Sequence, residues 1–453
     1  MNRHARSLRM IGAFKAIAVI VASCALTGAG CSGGRGDATG GARARLEARA
    51  VLPADTFFGK GPVGAGMDTV INGRRLPLEA SPVQGFSSLL VDGEDLIALQ
   101  DNGLGTLDNS HDSPLRWYRL RPDWQTGAVA VTATVALSDP ARLLPFPLAG
   151  TDEMRRARRL SGADLDPESM VAMDDGTYWI GEEFGPSLVH VDRQGVLLEK
   201  PVPVPMPAVL RAFARGSPFL RTPDHPDLRS YSSDAARRDL ANLPRSGGIE
   251  GLARSNDGSR LYASIEKGLL EDVDPGRRLI LEFDPARHNF TGRWWSYRAT
   301  TANVSISSLD SDGAGGLLVL ERDTGEGRTA AVKRVYRVVP DQVDAGGNLV
   351  KVLVCDLLKL DDDLGLTRRE RGAIGLGRHF SLPFITPECL LVLDASTIVV
   401  ANDNNYPFSA GRRPGKPDDN EIVRLRLKTP LYAAGAATVA TAPVPSSPAT
   451  AVR

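Results

Sequence analysis

Five stretches of this chain end a short apolar run in a cluster of acidic and amide side chains. Asp101 and Asn102 close residues 86–100 (FSSLLVDGEDLIALQ), and Glu182 and Glu183 close the run YWIG within residues 164–192. Glu266 closes residues 248–266 (GIEGLARSNDGSRLYASIE), and Glu321, Arg322 and Asp323 close residues 305–323. Asn402, Asp403, Asn404 and Asn405 close residues 387–405 (PECLLVLDASTIVVANDNN). A second series, Glu168, Glu250, Ser308 and Glu388, opens the same stretches. Carboxylates gathered without a counter-charge raise one another's pKa or require a cation. An oxygen-only donor set suits a hard cation, Ca²⁺ before Mg²⁺. The metal-ligand candidates are Glu183, Glu250, Glu321, Asp323, Asp403 and Asn404, with Glu182 or Glu266 as the general base toward an attacking water. Lys267, Arg278 and Arg322 lie near these clusters and could take phosphate or carboxylate oxygens of a substrate. For any single carboxylate a turn cap or a salt bridge is the plainer reading; recurrence at matching places favours a site.

Other chemistries find less support. Histidine is scarce and His190 stands alone, which argues against zinc or copper, and no Cys/His spacing suggests a zinc site. A Gly-x-Ser-x-Gly elbow is missing, so a Ser-His-Asp hydrolase is unsupported. Asp257-Gly258 and Asp312-Gly313 read as turns, because the ligand series of a calcium loop does not follow them. Lys and Arg balance Asp and Glu, 54 against 54, so no global basic field draws nucleic acid.

The elements that must position these groups are hairpins. Asp-Gly between alternating apolar runs is a strong local hairpin signal. Five copies of one hairpin, each ending in a polar cluster, predict an all-β radial repeat: a β-propeller with five repeats visible and six blades expected. The repeats are longer than the roughly 40–50 residues of familiar propeller units, which leaves room for insertions. Residues 206–247 read as an insertion over one face, with short helices over 207–215 and 230–243. Residues 143–159 read as a loop or short helix, and residues 361–376 as a second, helix-like insertion. In a propeller the innermost strands line a channel, so equivalent strand ends become neighbours at one mouth.

The chain starts with four basic residues and an apolar run over 16–26, too short to span a bilayer and suited to a secretory signal. Residues 1–31 are expected to be a signal peptide ending in a lipobox-like stretch. Cys31 is preferred over Cys24 for lipidation, with an ordinary unlipidated signal as the alternative. Residues 32–50 read as a Gly-rich tether, 51–428 as the propeller and 429–453 as a disordered Ala/Pro/Ser/Thr tail. An exported protein held to a bilayer by a lipid, or released, is implied. Cys355 and Cys389 sit in apolar runs and are read either as one disulfide or as buried thiols.

The motifs GIEGLA (residues 248–253), LLVLERD (317–323) with VKRVYRV (332–338), DPESM and YWIGEEFGP (166–186), and PECLLVLD with VVANDNNY (387–406) resemble the phytase-like family called "esterase-like activity of phytase". The resemblance covers about residues 80–428. It implies an exported bacterial β-propeller that hydrolyses phosphate or other esters of small molecules, with Ca²⁺ bridging carboxylates and substrate. Glu182, Glu183, Glu250, Glu266, Glu321, Arg322, Asp403 and Asn404 stand on the matching motifs. Two other readings remain: a non-catalytic propeller whose cation is structural and whose insertion docks a ligand or partner, and a lactonase-like propeller with a metal on Glu250, Asp403 and Asn404.

Overall fold

Four of the five repeated hairpins close over an aspartate, Asp312 Oδ1 among them accepting from Ala314 N (2.7 Å). Asp175 Oδ1 accepts from Thr177 N (2.9 Å), Asp257 Oδ1 from Ser259 N (3.0 Å), and Asp394 Oδ1 from Ser396 N (2.7 Å). The same side-chain device therefore serves the copy that lacks glycine. The computed structural model describes residues 44–59 and 61–433. The expected signal peptide, Cys31, most of the tether and tail residues 434–453 lie outside the described residues.

Two further strands extend each hairpin, giving five four-stranded blades. Blade 1 runs outward from Phe86–Asp92 through Asp95–Gln100 and Arg116–Asp123 to Ala128–Ala136. Blade 2 starts at Pro167–Ala172, blade 3 at Ile249–Arg254 and blade 4 at Ser305–Ser311. Blade 5 starts at Thr386–Asp394 and passes through Thr397–Asp403 to Asn420–Leu427. Its outermost strand is Ala44–Leu52, paired antiparallel with Asn420–Leu427. The innermost strands touch in cyclic order, blade 5 against blade 1 included. The fold is thus an all-β propeller. Five blades are present among the described residues, and the expected sixth is not among them.

Five interblade cores hold the ring. Ile97, Leu99 and Trp117 of blade 1 pack on Met170, Tyr178 and Ile180 of blade 2. Leu318, Leu320 and Val335 of blade 4 meet Leu390, Ile398 and Val423 of blade 5, and Leu46 of the first described strand joins them. Phe86, Ala98 and Tyr118 meet Cys389, Val399 and Ile422 across the closing seam. Inner strands carry apolar side chains toward both neighbours, so their strands read as near-continuous apolar runs. Gly251 shows how closely the blades approach: a Cβ there would lie 2.6 Å from the Leu309 backbone.

Several boundaries differ from the sequence reading. The tether does not reach residue 50, because Ala44–Leu52 alternates buried and exposed residues along a nine-residue strand. Leu431 packs into the core between blades 4 and 5, so the tail does not start at 429. Residues 361–376 hold no helix; Gly365, Gly372 and Gly375 take positive φ there, which a right-handed helix excludes. Helix Asp152–Ala157 forms within 143–159, capped by Thr151. The 206–247 insertion contains 3₁₀ turns Ala208–Phe213 and Pro226–Leu228 and helix Asp234–Leu240. Cys355 and Cys389 are free buried thiols, Cys389 donating to Phe86 O (2.9 Å).

Ring closure through the first described strand predicts that Leu46→Ala, at a fully buried site, destabilises the whole propeller by about 2–5 kcal/mol. A single lower urea midpoint, seen alike by fluorescence and circular dichroism, is the expected result.

Candidate functional site

One irregularity recurs in all five innermost strands. Pairing to the second strand shifts register between Phe86 and Ser88, Pro167 and Ser169, Ile249 and Gly251, Ile306 and Ser308, and Pro387 and Cys389. The skipped residues are Ser87, Glu168, Glu250, Ser307 and Glu388. A β-bulge leaves one residue unpaired and re-aims its side chain. Here it aims three glutamates at the axis, and the oxygens of Glu168, Glu250 and Glu388 lie within 4.8 Å of one another although they come from three blades. Ser87 Oγ reaches Glu388 Oε2 at 3.5 Å.

A second tier comes from the residues one step beyond Gln100, Glu182, Ile265, Glu321 and Asn402, which pair with Phe86, Pro167, Ile249, Ile306 and Pro387. These are Asp101, Glu183, Glu266, Arg322 and Asp403. Glu183 belongs to two convergent groups, with Asp166 and Glu168 and with Glu250 and Glu266, again within 4.8 Å. Asn102 holds Asp166 in place through its backbone N (3.0 Å) and Nδ2 (2.6 Å). Gly85 is obligatory beside this tier: its φ is +67°, and a Cβ would fall 2.1 Å from Asp101 Oδ1.

The axis is therefore strongly acidic. Asp101, Asp166, Glu168, Glu183, Glu250, Glu266, Glu388 and Asp403 face Arg322 and, at the rim, Lys267. Arg322 Nη2 lies 3.1 Å from Glu266 Oε1, 3.1 Å from Glu388 Oε1 and 3.5 Å from Glu250 Oε1. Burial, then Asp166, Glu250 and Glu388, pushes Glu168 well up. Burial, then Glu266, Glu388 and Glu183, does the same to Glu250. Glu183, Asp101 and Asp403 are raised in the same way, burial first. Glu388 is raised by burial to about 8 although Arg322 opposes it. Burial alone would lower Arg322, but Glu388, Glu266 and Glu250 outweigh it and raise it.

The donor set fits a hard divalent cation. Its atoms are carboxylate oxygens throughout, and separations up to 4.8 Å match opposite ligands at roughly 2.4 Å from a Ca²⁺. Glu168 and Glu183 each share a side-chain hydrogen bond with Asp166, which brings the three carboxyl groups into direct contact.

Side-chain alternation splits the residues expected at the site. Consecutive residues of a strand face opposite ways, so Glu183 faces the axis and Glu182 does not. Glu182 instead staples the loop after its strand, accepting from Phe184 N (2.8 Å), Gly185 N (2.8 Å) and Asp166 N (3.2 Å). It is corrected from general base to structural group, although burial raises it to about 7. Glu321 is likewise off the axis, held by Tyr297 Oη (2.7 Å), Lys351 Nζ (2.7 Å) and the Thr300 hydroxyl. Asp323 pairs with Lys333 Nζ (3.0 Å) and accepts from Ala331 N (2.9 Å). Asn404 donates to Asp418 O (3.0 Å), and its Oδ1 is a buried acceptor with no partner. Arg278 is not a substrate group: its guanidinium binds the carbonyls of Pro275, Arg277, Ala302 and Val304 at 2.6–3.0 Å. Arg322 reaches the axis but is engaged by the three glutamates. Lys267 stands at the mouth, 3.2 Å from Glu266 Oε2 and donating to Arg245 O (3.2 Å) in the face insertion.

Asp166 and Ser87 carried no acidic-cluster signal in the sequence, and Ser307 rather than Ser308 occupies the equivalent bulge. Alignment of the five copies on the residue before each bulge would have found both serines. His190 does not stand alone: His288, from the outer hairpin of blade 3, joins it at Glu199.

The family model described as "Phytase-like: Esterase-like activity of phytase" matches residues 81–406. An uncharacterized secreted protein of Arthroderma benhamiae is 29% identical over 204 residues, which is 40% of this chain and 38% of that protein. The chain thus spans well under two thirds of that relative's length. Among solved structures, the calcium-binding protein regucalcin of Agrobacterium tumefaciens is 13% identical, covering 86% of this chain and 98% of that one at a TM-score of 0.34. A luciferin-regenerating enzyme is 10% identical over 85% and 97% of the two chains, TM-score 0.36. Among the described residues, no helix is long and apolar enough to cross a membrane.

Carboxyl groups raised on folding hold protons that the unfolded chain has released. Without a cation, stability therefore falls as pH rises from about 4 through about 8, where Glu388 titrates. The melting temperature of EGTA-treated protein is expected to drop between pH 5 and 8.5, and saturating calcium to flatten that drop. Glu388→Gln should reduce the slope without calcium; a melting temperature that climbs with pH in EGTA would contradict the charge assignment.

Proposed function

Since the chain belongs to the "esterase-like activity of phytase" family, we propose that it is an exported, calcium-dependent hydrolase of phosphate or other esters, working at the axial carboxylates. One observation carries this reading: oxygen donors from three blades converge within 4.8 Å with a single guanidinium among them. Glu183, Glu250, Glu168, Asp166 and Glu388 would hold the cation. A bound divalent cation supplies charge stabilisation for an ester oxygen and acidifies an attacking water. Glu266 is the residue suited to take the water's proton. Its Oε2 is a buried acceptor with no aligned hydrogen-bond donor, 3.2 Å from Lys267 Nζ, while Arg322 fixes its Oε1. Lys267 would screen charge on an anionic substrate entering there. The match to a protein named as secreted, together with the signal-like start of the sequence, supports export. Lipid attachment at Cys31 remains part of the proposal.

A second reading is a non-catalytic propeller whose cation ties the blades together. The observation favouring it is that Arg278 and Arg322 are buried and turned to protein groups, carbonyls for the one and glutamates for the other, which leaves Lys267 as the main cationic group at the mouth. The two readings separate on one panel of p-nitrophenyl phosphate, phytate, short acyl esters and lactones, each with calcium and with EGTA. The hydrolase reading expects calcium-dependent turnover that falls about 10²–10⁴-fold in Glu266→Gln and is abolished in Glu250→Gln. Calcium that raises the melting temperature in the absence of turnover on every substrate would establish the second reading instead.

A further inference from the structure

A second cluster of ligand-type side chains lies between the outer parts of blades 2 and 3. His190 Nδ1 is 2.8 Å from Glu199 Oε1, and His288 Nδ1 is 2.7 Å from the same oxygen. His190 belongs to strand Ser187–Val191 of blade 2, and His288 to the turn between Arg277–Asp284 and Asn289–Arg298 of blade 3. The rings stand edge to face, centroids 5.4 Å apart. All three ligand atoms lie within 4.8 Å of one another, and His190 and His288 border a cleft of about 510 Å³ that also touches Met173, Asp175 and Arg260.

The second nitrogen of His190 is fixed from behind. Thr177 Oγ1 gives its proton to Asp175 Oδ1 (2.7 Å), so it can only accept from His190 Nε2 (2.9 Å). Trp179 stacks flat on the same ring, centroids 4.3 Å apart and planes 3° from parallel. The imidazole is thereby locked with Nε2 protonated and Nδ1 turned to Glu199. Both Nδ1 atoms converge on one carboxylate oxygen. A cation placed among them would satisfy all three groups at once. A hydroxyl–carboxylate chain behind a ligating histidine is the usual way a metal ligand is oriented.

We propose that His190, Glu199 and His288 form a binding site for a borderline divalent transition metal, zinc first, with its remaining position open to the cleft. Nitrogen and oxygen ligands in a 2:1 ratio suit zinc rather than calcium. Tetrahedral ligands at about 2.1 Å from zinc sit about 3.4 Å apart, so each imidazole nitrogen, now 2.8 and 2.7 Å from Glu199 Oε1, needs to separate from it by only about 0.6–0.7 Å. Glu199 and His288 are partly exposed and free to do so. The site is separate from the axial carboxylates: Thr177 and Glu183 stand at opposite ends of one strand, roughly 20 Å apart at about 3.3 Å per residue.

The test uses purified full chain in excess calcium, so that the axis is not a competitor. Titration with Zn²⁺ and Co²⁺ is followed by calorimetry, by visible absorption and by quenching of tryptophan fluorescence. One equivalent of zinc is expected, with a Co²⁺ band of low-coordinate intensity and quenching by Co²⁺ that Trp179→Phe removes. His288→Ala and Glu199→Gln should each weaken binding at least tenfold while leaving the thermal melt in calcium unchanged. Thr177→Val should weaken it by about tenfold through loss of ring orientation. No zinc uptake by the wild-type chain, or unchanged affinity and band in His288→Ala, would overturn the assignment.

Discussion

Like charges held out of water on a shared axis are the constraint on which this molecule turns. Eight carboxyl groups cannot all ionise around one guanidinium without a cation or retained protons. The raised pKa values of Glu168, Glu183 and Glu250 follow from that crowding and from burial, which is the leading cause in each case. Arg322 relieves only part of it, because a single nitrogen serves Glu250, Glu266 and Glu388. The ring must therefore be stable enough to keep repelling groups together. Five continuous interblade cores, closed by the pairing of Ala44–Leu52 with Asn420–Leu427, supply that stability.

The bulge in each inner strand converts a generic propeller into a site. A regular strand would send alternate side chains into the two flanking cores. Skipping one residue at the same place in every blade frees that residue to face the axis. In blades 2, 3 and 5 it is a glutamate, and in blades 1 and 4 a serine. The next tier repeats the logic with four acids and one arginine. The two tiers thus break the near-fivefold symmetry of the backbone and create distinct convergent groups around Glu183 and Glu250.

The outer cluster at His190 differs in physical character. Its polarity comes from two imidazoles and one carboxylate, its orientation from stacking on Trp179, and its assembly from a contact between adjacent blades. Axis and rim therefore suit different ions, hard at the centre and borderline outside. One propeller presents both because its radial layout offers separate seams at separate depths.

The sequence by itself determined the hairpins, the radial repeat and the residue types at the strand ends. Those are local properties: an Asp-Gly turn and an apolar run act within a few residues of themselves. It also named Glu183, Glu250, Glu266 and Asp403, which the fold gathers at the axis. What it left open was direction. Glu182 and Glu183, Glu321 and Arg322, and Asp403 and Asn404 are adjacent letters, and only the register against the inner strand decides which one faces inward. The bulges that set that register have no composition of their own, so Glu168, Glu388 and Ser307 became axial only once the strands were paired. The blade number, the use of the first described strand to finish the last sheet and the meeting of His190 with His288 are likewise tertiary facts. Each depends on segments from about 100 to nearly 400 residues apart being brought together by packing between blades, which no local pattern records.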